Sequence, residues 1–406
     1  MTQGKTENLD VVVIGAGFAG LYALYRFRDV LGLDVRVFET GDGVGGTWYW
    51  NRYPGARCDS ESFYYSYSFS KELEQEWSWS SKYPEQPEIL RYLEHVADRF
   101  DLMKDIRLGT RVTSAVYDEA AAEWTVETDA GDRIVAPFVV TAVGCLSAAN
   151  LPDIPGRDSF EGEAYHTGAW PRDGVDFTGK RVALIGTGSS GIQSTPVIAE
   201  DAARLTVFQR TPNFTVPTRN AALSPEGSAW IKANYEGIRE KTRETAAGFP
   251  YDPIERSAFE VSPEERERIF EQLWQEGGFK FMWGSFNDIM RNRDANDLAA
   301  DFIRRKIREI VKDPETAEKL CPKDHPWGSK RPPIDTDYYV TFNRENVELV
   351  DIKAEPIEAI TSSGVRMAKQ DYEVDTIVFA TGFDAMTGSL LKIDIRGVGG
   401  LALRDK

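Results

Sequence analysis

The hydrophobic pattern of this chain is of two kinds, short apolar runs and longer stretches with helical spacing. Asp10-Val11-Val12-Val13-Ile14 is a run rich in β-branched residues and reads as a buried strand. Gly15-Ala16-Gly17-Phe18-Ala19-Gly20 follows, then a helix-like stretch to about Val30 and a second strand from Asp34 to Phe38. The same order recurs at Arg181 to Ile185, Gly186-Thr187-Gly188-Ser189-Ser190-Gly191, a helix through Ala199 and a strand from Leu205 to Gln209. Two returning segments have buried-strand patterns closed by small residues. Arg133 to Val143 ends a hairpin in Thr141-Ala142-Val143-Gly144, and Asp375 to Ala380 runs into Thr381-Gly382. Helical spacing marks Pro263 to Glu276 and Ala299 to Lys312, where charge runs such as Glu264-Glu265-Arg266-Glu267-Arg268 read as a solvated helix face.

Strand, glycine turn and helix together make a dinucleotide fingerprint. Gly15 forms the tight turn, Gly17 lets backbone approach a pyrophosphate, and Gly20 lets helix and strand pack closely, with the helix N-terminus facing the anion. Glu39 ends the second strand 24 residues after Gly15, where an acid accepts hydrogen bonds from a ribose diol. The same 24 residues counted from Gly186 reach Arg210, with Thr211 beside it. A carboxylate there would repel a 2′-phosphate, whereas a guanidinium clamps one bidentately, so the second nucleotide is expected to be NADP(H). A surface arginine ending a strand is the alternative. Two dinucleotide sites in one chain imply hydride passing between two carriers, which assigns FAD to the first.

Composition removes other classes. The 406 residues are 41% hydrophobic and 12% aromatic, which excludes a disordered or collagen-like chain. A net charge of −17 argues against nucleic acid and anionic membrane surfaces as partners. Cys58, Cys145 and Cys321 are too few and too scattered for a disulfide framework or a zinc ribbon. His95, His166 and His325 lack metal-ligand spacing, so no metal is expected. No signal-peptide pattern is readable, and the most apolar stretch, near Ile134 to Leu146, is too short to span a bilayer. The sparse cysteines fit a reducing compartment, so the cytoplasm is the expected location, and a monomer is the expected state.

Between the two fingerprints lies Phe160-Glu161-Gly162-Glu163-Ala164-Tyr165-His166-Thr167-Gly168-Ala169-Trp170-Pro171, an FxGxxxHxxxWP pattern. By itself it is a linker with aromatic anchors, and a lone histidine there is more often a packing residue than a catalyst. With the glycine fingerprints it resembles the identifying motif of type I Baeyer–Villiger monooxygenases, anchored at Phe160, Gly162, His166 and Trp170. Further resemblance covers nearly the whole chain: Gly45-Gly46-Thr47-Trp48-Tyr49-Trp50, Tyr53-Pro54-Gly55-Ala56-Arg57-Cys58-Asp59, Gln209-Arg210-Thr211-Pro212, Lys330-Arg331-Pro332 and Ala380-Thr381-Gly382-Phe383-Asp384.

The resemblance implies that NADPH reduces FAD, O2 adds at flavin C4a, and the resulting peroxide attacks a ketone to give an ester or lactone. It gives Arg331 the role of stabilising the anionic oxidant and the developing oxyanion, and Asp59 that of holding the arginine. Because arginine keeps its proton, Asp59 would orient Arg331 rather than titrate it. Lys330 would join Arg210 and Thr211 at the 2′-phosphate, and Thr187, Gly188, Ser189, Ser190, Gly191 and Gln193 would line the NADP side. Gly15, Gly17, Phe18, Gly20, Glu39, Thr47, Trp48, Tyr49, Trp50, Arg57, Cys58, Tyr65 and Val112 would line the FAD side. Taken alone, Asp59 reads as a helix cap, Lys330-Arg331 as a solvated pair and Cys58 as a packed small residue. Related enzymes oxidise nitrogen or sulfur with a similar FxGxxxH segment, and a nucleotide-binding chain without turnover is a further alternative.

The expected fold class is α/β, with two doubly wound, Rossmann-like dinucleotide-binding domains and a helical insert. Residues 1–150 are expected to begin the FAD domain, 151–220 the NADP domain, 221–330 to form the insert, and 331–406 to return to the FAD domain. In the family the segment matching Asp394 to Gly400 is followed by a long stretch that lines the substrate pocket, whereas this sequence stops at Lys406. A weakened pocket wall is therefore expected.

Overall fold

The computed structural model describes residues 6–245 and 247–406; residues 1–5 of the first expected domain and residue 246 of the insert lie outside the described residues. Val11–Ile14 forms the centre of a four-stranded parallel sheet in the order Ile106–Arg107, Val35–Phe38, Val11–Ile14, Phe138–Thr141. Its apolar run is continuous because both faces are covered. Val11 and Val13 pack with Leu21, Leu24 and Leu93 on the helical side, while Val12 and Ile14 pack with Val112, Val126 and Ile134 of a mixed five-stranded sheet. The helix after the glycine turn is α-helical from Phe18 to Leu24 and continues as a π-helical turn from Tyr25 to Val30.

The second unit repeats this plan. Five parallel strands lie in the order Val347–Asp351, Arg204–Gln209, Arg181–Ile185, Thr376–Phe379, Glu163–His166. Val182 and Leu184 face helices, whereas Ala183 and Ile185 face a three-stranded antiparallel sheet of Ile357–Thr361, Gly364–Met367 and Asp371–Glu373.

Two expectations change. The segment Arg133 to Val143 is two strands in two sheets, Arg133–Ala136 and Phe138–Thr141, because Pro137 between them has no N–H to continue a ladder. Residues 331–406 do not simply return to the first unit. Val347–Asp351 and Thr376–Phe379 complete the second parallel sheet, and Asp394–Arg396 pairs with Val112–Asp118 of the first unit.

Between Gln209 and Val347 the chain builds helices Pro225–Glu244, Pro263–Glu276, Lys280–Trp283, Arg293–Ile310, Pro314–Leu320 and Tyr338–Thr341. Ser224, Ser262 and Asp313 accept backbone N–H bonds at three of the N-termini, each followed by proline at the first helical position. In Arg293–Ile310, Ala295, Ala299, Phe302, Ile303 and Ile307 are buried on one face, as helical spacing requires. No helix of the described residues is long and apolar enough to cross a membrane.

Candidate functional site

At the C-terminal end of the first parallel sheet a cavity of ≈ 510 Å³ is lined by Gly15, Gly17, Phe18, Glu39, Thr47, Trp48, Trp50, Tyr65 and Val112, all expected FAD contacts. Gly15 has φ +104°, and a Cβ there would stand 2.6 Å from the Ala142 carbonyl oxygen; one on Gly20 would stand 1.8 Å from that of Gly15. Both glycines are thus demanded by the turn itself. Glu39 Oε2 accepts the Ala16 N–H at 2.8 Å and Oε1 accepts the Gly41 N–H at 2.8 Å, which ties the acid to the glycine turn and leaves lone pairs for hydroxyl donors. Trp48 Nε1 donates to Tyr65 Oη at 3.1 Å, fixing the aromatic wall.

The residues fit FAD on their own geometry. The volume lies in the range of cofactor clefts, about 300–1,000 Å³. Arg111 and Lys392 add two cations suited to a pyrophosphate, and Ser389 in the same wall has a buried hydroxyl without a partner among the described residues. None of these three belongs to a motif, so periodicity gave no signal for them.

The second turn has one glycine that is open and two that are closed in by backbone. A Cβ on Gly186 (φ +113°) would meet the Ala380 oxygen at 2.4 Å, and one on Gly191 the Gly186 oxygen at 2.2 Å, whereas one on Gly188 would meet nothing within 4 Å. Gly188 is the position where backbone is bare toward open space, as close approach of a nucleotide requires. Thr187 Oγ1 donates to the Thr211 carbonyl at 3.1 Å and so links this turn to the loop carrying Arg210. Arg210 and Lys330 are both exposed, and neither forms an ion pair among the described residues.

Asp59 and Arg331, 272 residues apart, come together. Arg331 Nε lies 3.8 Å from Asp59 Oδ2, and its guanidinium stands over the Phe279 ring, 4.9 Å from the centroid. That separation is an ion pair rather than a hydrogen bond, which leaves the guanidinium N–H groups for another ligand. Arg331 is 63% exposed in its side chain and Asp59 12%. Burial pushes the Asp59 carboxyl up to about 6, against the opposing pull of Arg331 and the Ile334 amide.

Other expected contacts are directed at protein. The Tyr49 ring supports the 41–43 loop, where a Cβ on Gly41 or Gly43 would meet it at 2.7 or 2.9 Å, and its hydroxyl accepts the Asp42 N–H. Arg57 pairs with Glu85 at 2.8 Å. Cys58 is buried, and burial pushes its thiol well above the usual range, so it is no thiolate nucleophile. Ser190 shares a hydrogen bond with Thr167 at 3.0 Å, whereas Ser189 is part-exposed at the start of its helix. His166 is also structural. Its Nδ1 accepts the Gly168 N–H at 2.9 Å, its Nε2 lies 3.3 Å from Thr381 Oγ1, and burial lowers its pKa, holding the ring neutral. Phe160 packs into the core behind the second sheet and Trp170 beside Phe177, while a Cβ on Gly162 would meet both the Asp375 oxygen and the Phe160 ring at 2.5 Å.

Two dinucleotide turns in one chain that also brings Asp59 to Arg331 define a flavoprotein oxidoreductase that draws on a nicotinamide nucleotide. Residues 12–268 match the family described as Pyridine nucleotide-disulphide oxidoreductase. The chain is 48% identical over 406 residues to a Baeyer-Villiger monooxygenase of Pseudooceanicola batsensis, covering 100% of this chain and 74% of that one. It is equally 48% identical to the phenazine N-monooxygenase PhzNO1 of Lysobacter antibioticus, over 100% and 74% of the two chains. The solved structure of OTEMO in complex with FAD and NADP superposes with a TM-score of 0.95 at 46% identity, over 98% of this chain and 76% of that one. The chain belongs to the Baeyer–Villiger monooxygenases, whose cofactors are FAD and NADP(H).

Proposed function

We propose that this chain oxygenates a ketone to an ester or lactone at Arg331, with Asp59 as the residue that orients it. The observation that carries the reading is the 3.8 Å approach of Arg331 to the largely covered Asp59, with the guanidinium still largely exposed. When bound, FAD reduced by NADPH supplies the oxygen atom taken from O2. The protein's part is electrostatic: a fixed positive charge beside the reacting carbonyl stabilises the negative charge that develops on its oxygen. Asp59 restricts the swing of Arg331, and Phe279 beneath the guanidinium adds a cation–π contact. Arg210 and Thr211, with Lys330, take the 2′-phosphate of NADPH, and Gly188 admits the dinucleotide backbone. We assign the first parallel sheet with its mixed sheet to FAD, the second parallel sheet to NADP, and the helices between 225 and 320 to a cover beside Arg331.

Heteroatom oxidation is the second reading, favoured by the likeness to the phenazine enzyme. Arg331→Ala separates the two. The expected result is a protein that binds FAD and is reduced by NADPH but forms no ester from a ketone panel. Unimpaired ester formation by this variant contradicts the role given to Arg331.

A further inference from the structure

Gln193 lies on helix Ser189–Asp201, two residues past the last glycine of the second fingerprint, and is 8% exposed. Its side chain does not point along the nucleotide groove. Oε1 accepts the Tyr53 hydroxyl at 2.8 Å, while Nε2 donates to the Arg57 carbonyl at 3.2 Å and to Asp59 Oδ1 at 3.3 Å. The amide orientation is fixed by its neighbours, since a flipped amide would set its oxygen against two acceptors. The loop it grips is pressed onto the helix at the same turn. Gly55 has φ +77°, and a Cβ there would stand 2.3 Å from the Gln193 carbonyl oxygen and 3.1 Å from Val197 Cγ2.

We infer that Gln193 is a positioning residue of the oxygenation site: its amide ties the Asp59 carboxylate, and through it Arg331, to the helix that heads the NADP turn. The inference rests on the reading of Asp59 and Arg331 given above. It makes one side chain of the NADP unit the link by which nucleotide binding at the helix N-terminus steadies a charge pair assembled from other segments. Tyr53 holds the far end of the amide, so the link runs Tyr53, Gln193, Asp59, Arg331.

The groups facing Asp59 are Arg331, Tyr53 and Cys58, and burial keeps the last two neutral by pushing them above their ordinary range. A donor to a carboxylate favours its charged form, so removing the Gln193 amide raises the Asp59 titration point. Gln193→Met keeps the length without the donor. Gln193→Glu keeps the size and sets a second carboxylate beside Asp59, so it guards against a methionine variant that fails to fold.

The test uses FAD-loaded protein. Infrared pH-difference spectra, with Asp59→Asn subtracted, isolate the Asp59 carboxyl band and its midpoint. The acid limb of the NADPH-dependent ester-forming rate is measured alongside. The expected result is a midpoint and an acid limb that both move upward, by roughly one pH unit in Gln193→Met and further in Gln193→Glu. A midpoint and limb unmoved in these variants, while Asp59→Asn abolishes ester formation, overturn the Gln193 inference alone. Ester formation that survives Asp59→Asn with an unchanged pH profile overturns the reading of Asp59 and the role of Gln193 with it.

Discussion

Single residues here carry distinguishable kinds of work. Arg210 is assigned to charge recognition, and removing a charge-assisted bond of this kind costs about 1.5–3 kcal/mol. Arg210→Ala is therefore expected to weaken NADPH binding roughly 10- to 100-fold while leaving NADH almost unaffected. A Kd ratio that stays constant in the variant argues against the assignment. Asp335 works differently. It is buried, accepts Thr215 Oγ1 at 2.7 Å and the Tyr338 N–H at 2.9 Å, and burial pushes it up to about 6. Its folded-state pKa lies above the unfolded one, so the stability it contributes is complete at acid pH and is lost as pH rises through about 6. Asp335→Asn is expected to flatten the fall in denaturant stability between about pH 4 and 6; an unchanged slope in that window would falsify it.

The residue scale also shows what sequence could and could not reveal. Gly15, Gly17, Gly20 and Glu39 were legible because a glycine turn between a strand and a helix is a local pattern with a local cause. Asp59 and Arg331 were not legible in that way. Each alone reads as a cap or a solvated charge, and only resemblance joined them across 272 positions. The Gln193 to Asp59 bond had no sequence signal beyond the motif that contains it.

At the scale of elements, the two glycine turns allow a contrast between folding and binding. Gly191→Ala places a methyl 2.2 Å from the Gly186 oxygen, within backbone that cannot yield, so a clear loss in melting temperature is expected. Gly188→Ala meets nothing within 4 Å and has φ −81°, which alanine adopts freely. It is expected to melt like the parent yet bind NADP+ more weakly, because the methyl occupies the approach of the dinucleotide. Equal melting temperatures for both variants, or unweakened NADP+ binding by Gly188→Ala, would count against the second turn as a nucleotide cradle. Helix capping offers a smaller effect: Ser262 accepts the Glu265 N–H, and Ser262→Ala is expected to cost about 1 kcal/mol by urea titration without changing FAD content.

Element identity was largely legible, element membership less so. The strands Arg181–Ile185 and Arg204–Gln209 follow from apolar runs and turn residues. That Val347–Asp351 and Thr376–Phe379 flank them could not be read, because parallel strands buried on both faces look alike wherever they insert. Pro137 was the visible sign that one apolar run serves two sheets.

In the whole molecule Asp59 and Arg331 meet beside the helix that follows the second glycine turn. The molecule's background charge of −17 opposes binding of anionic cofactors, and Arg111 and Lys392 in the cavity wall work against that field locally, as Arg210 and Lys330 are proposed to do for the second nucleotide. The segments in contact at the centre, Tyr53 to Asp59, the Gln193 turn and Arg331, come from distant parts of the sequence, so the site exists only in the assembled fold. The most direct test of the account is anaerobic mixing of the FAD-reconstituted protein with NADPH or NADH, followed by flavin absorbance. Bound flavin is expected to bleach far faster with NADPH. A protein that retains no flavin, or one that NADH reduces as fast as NADPH, would contradict it.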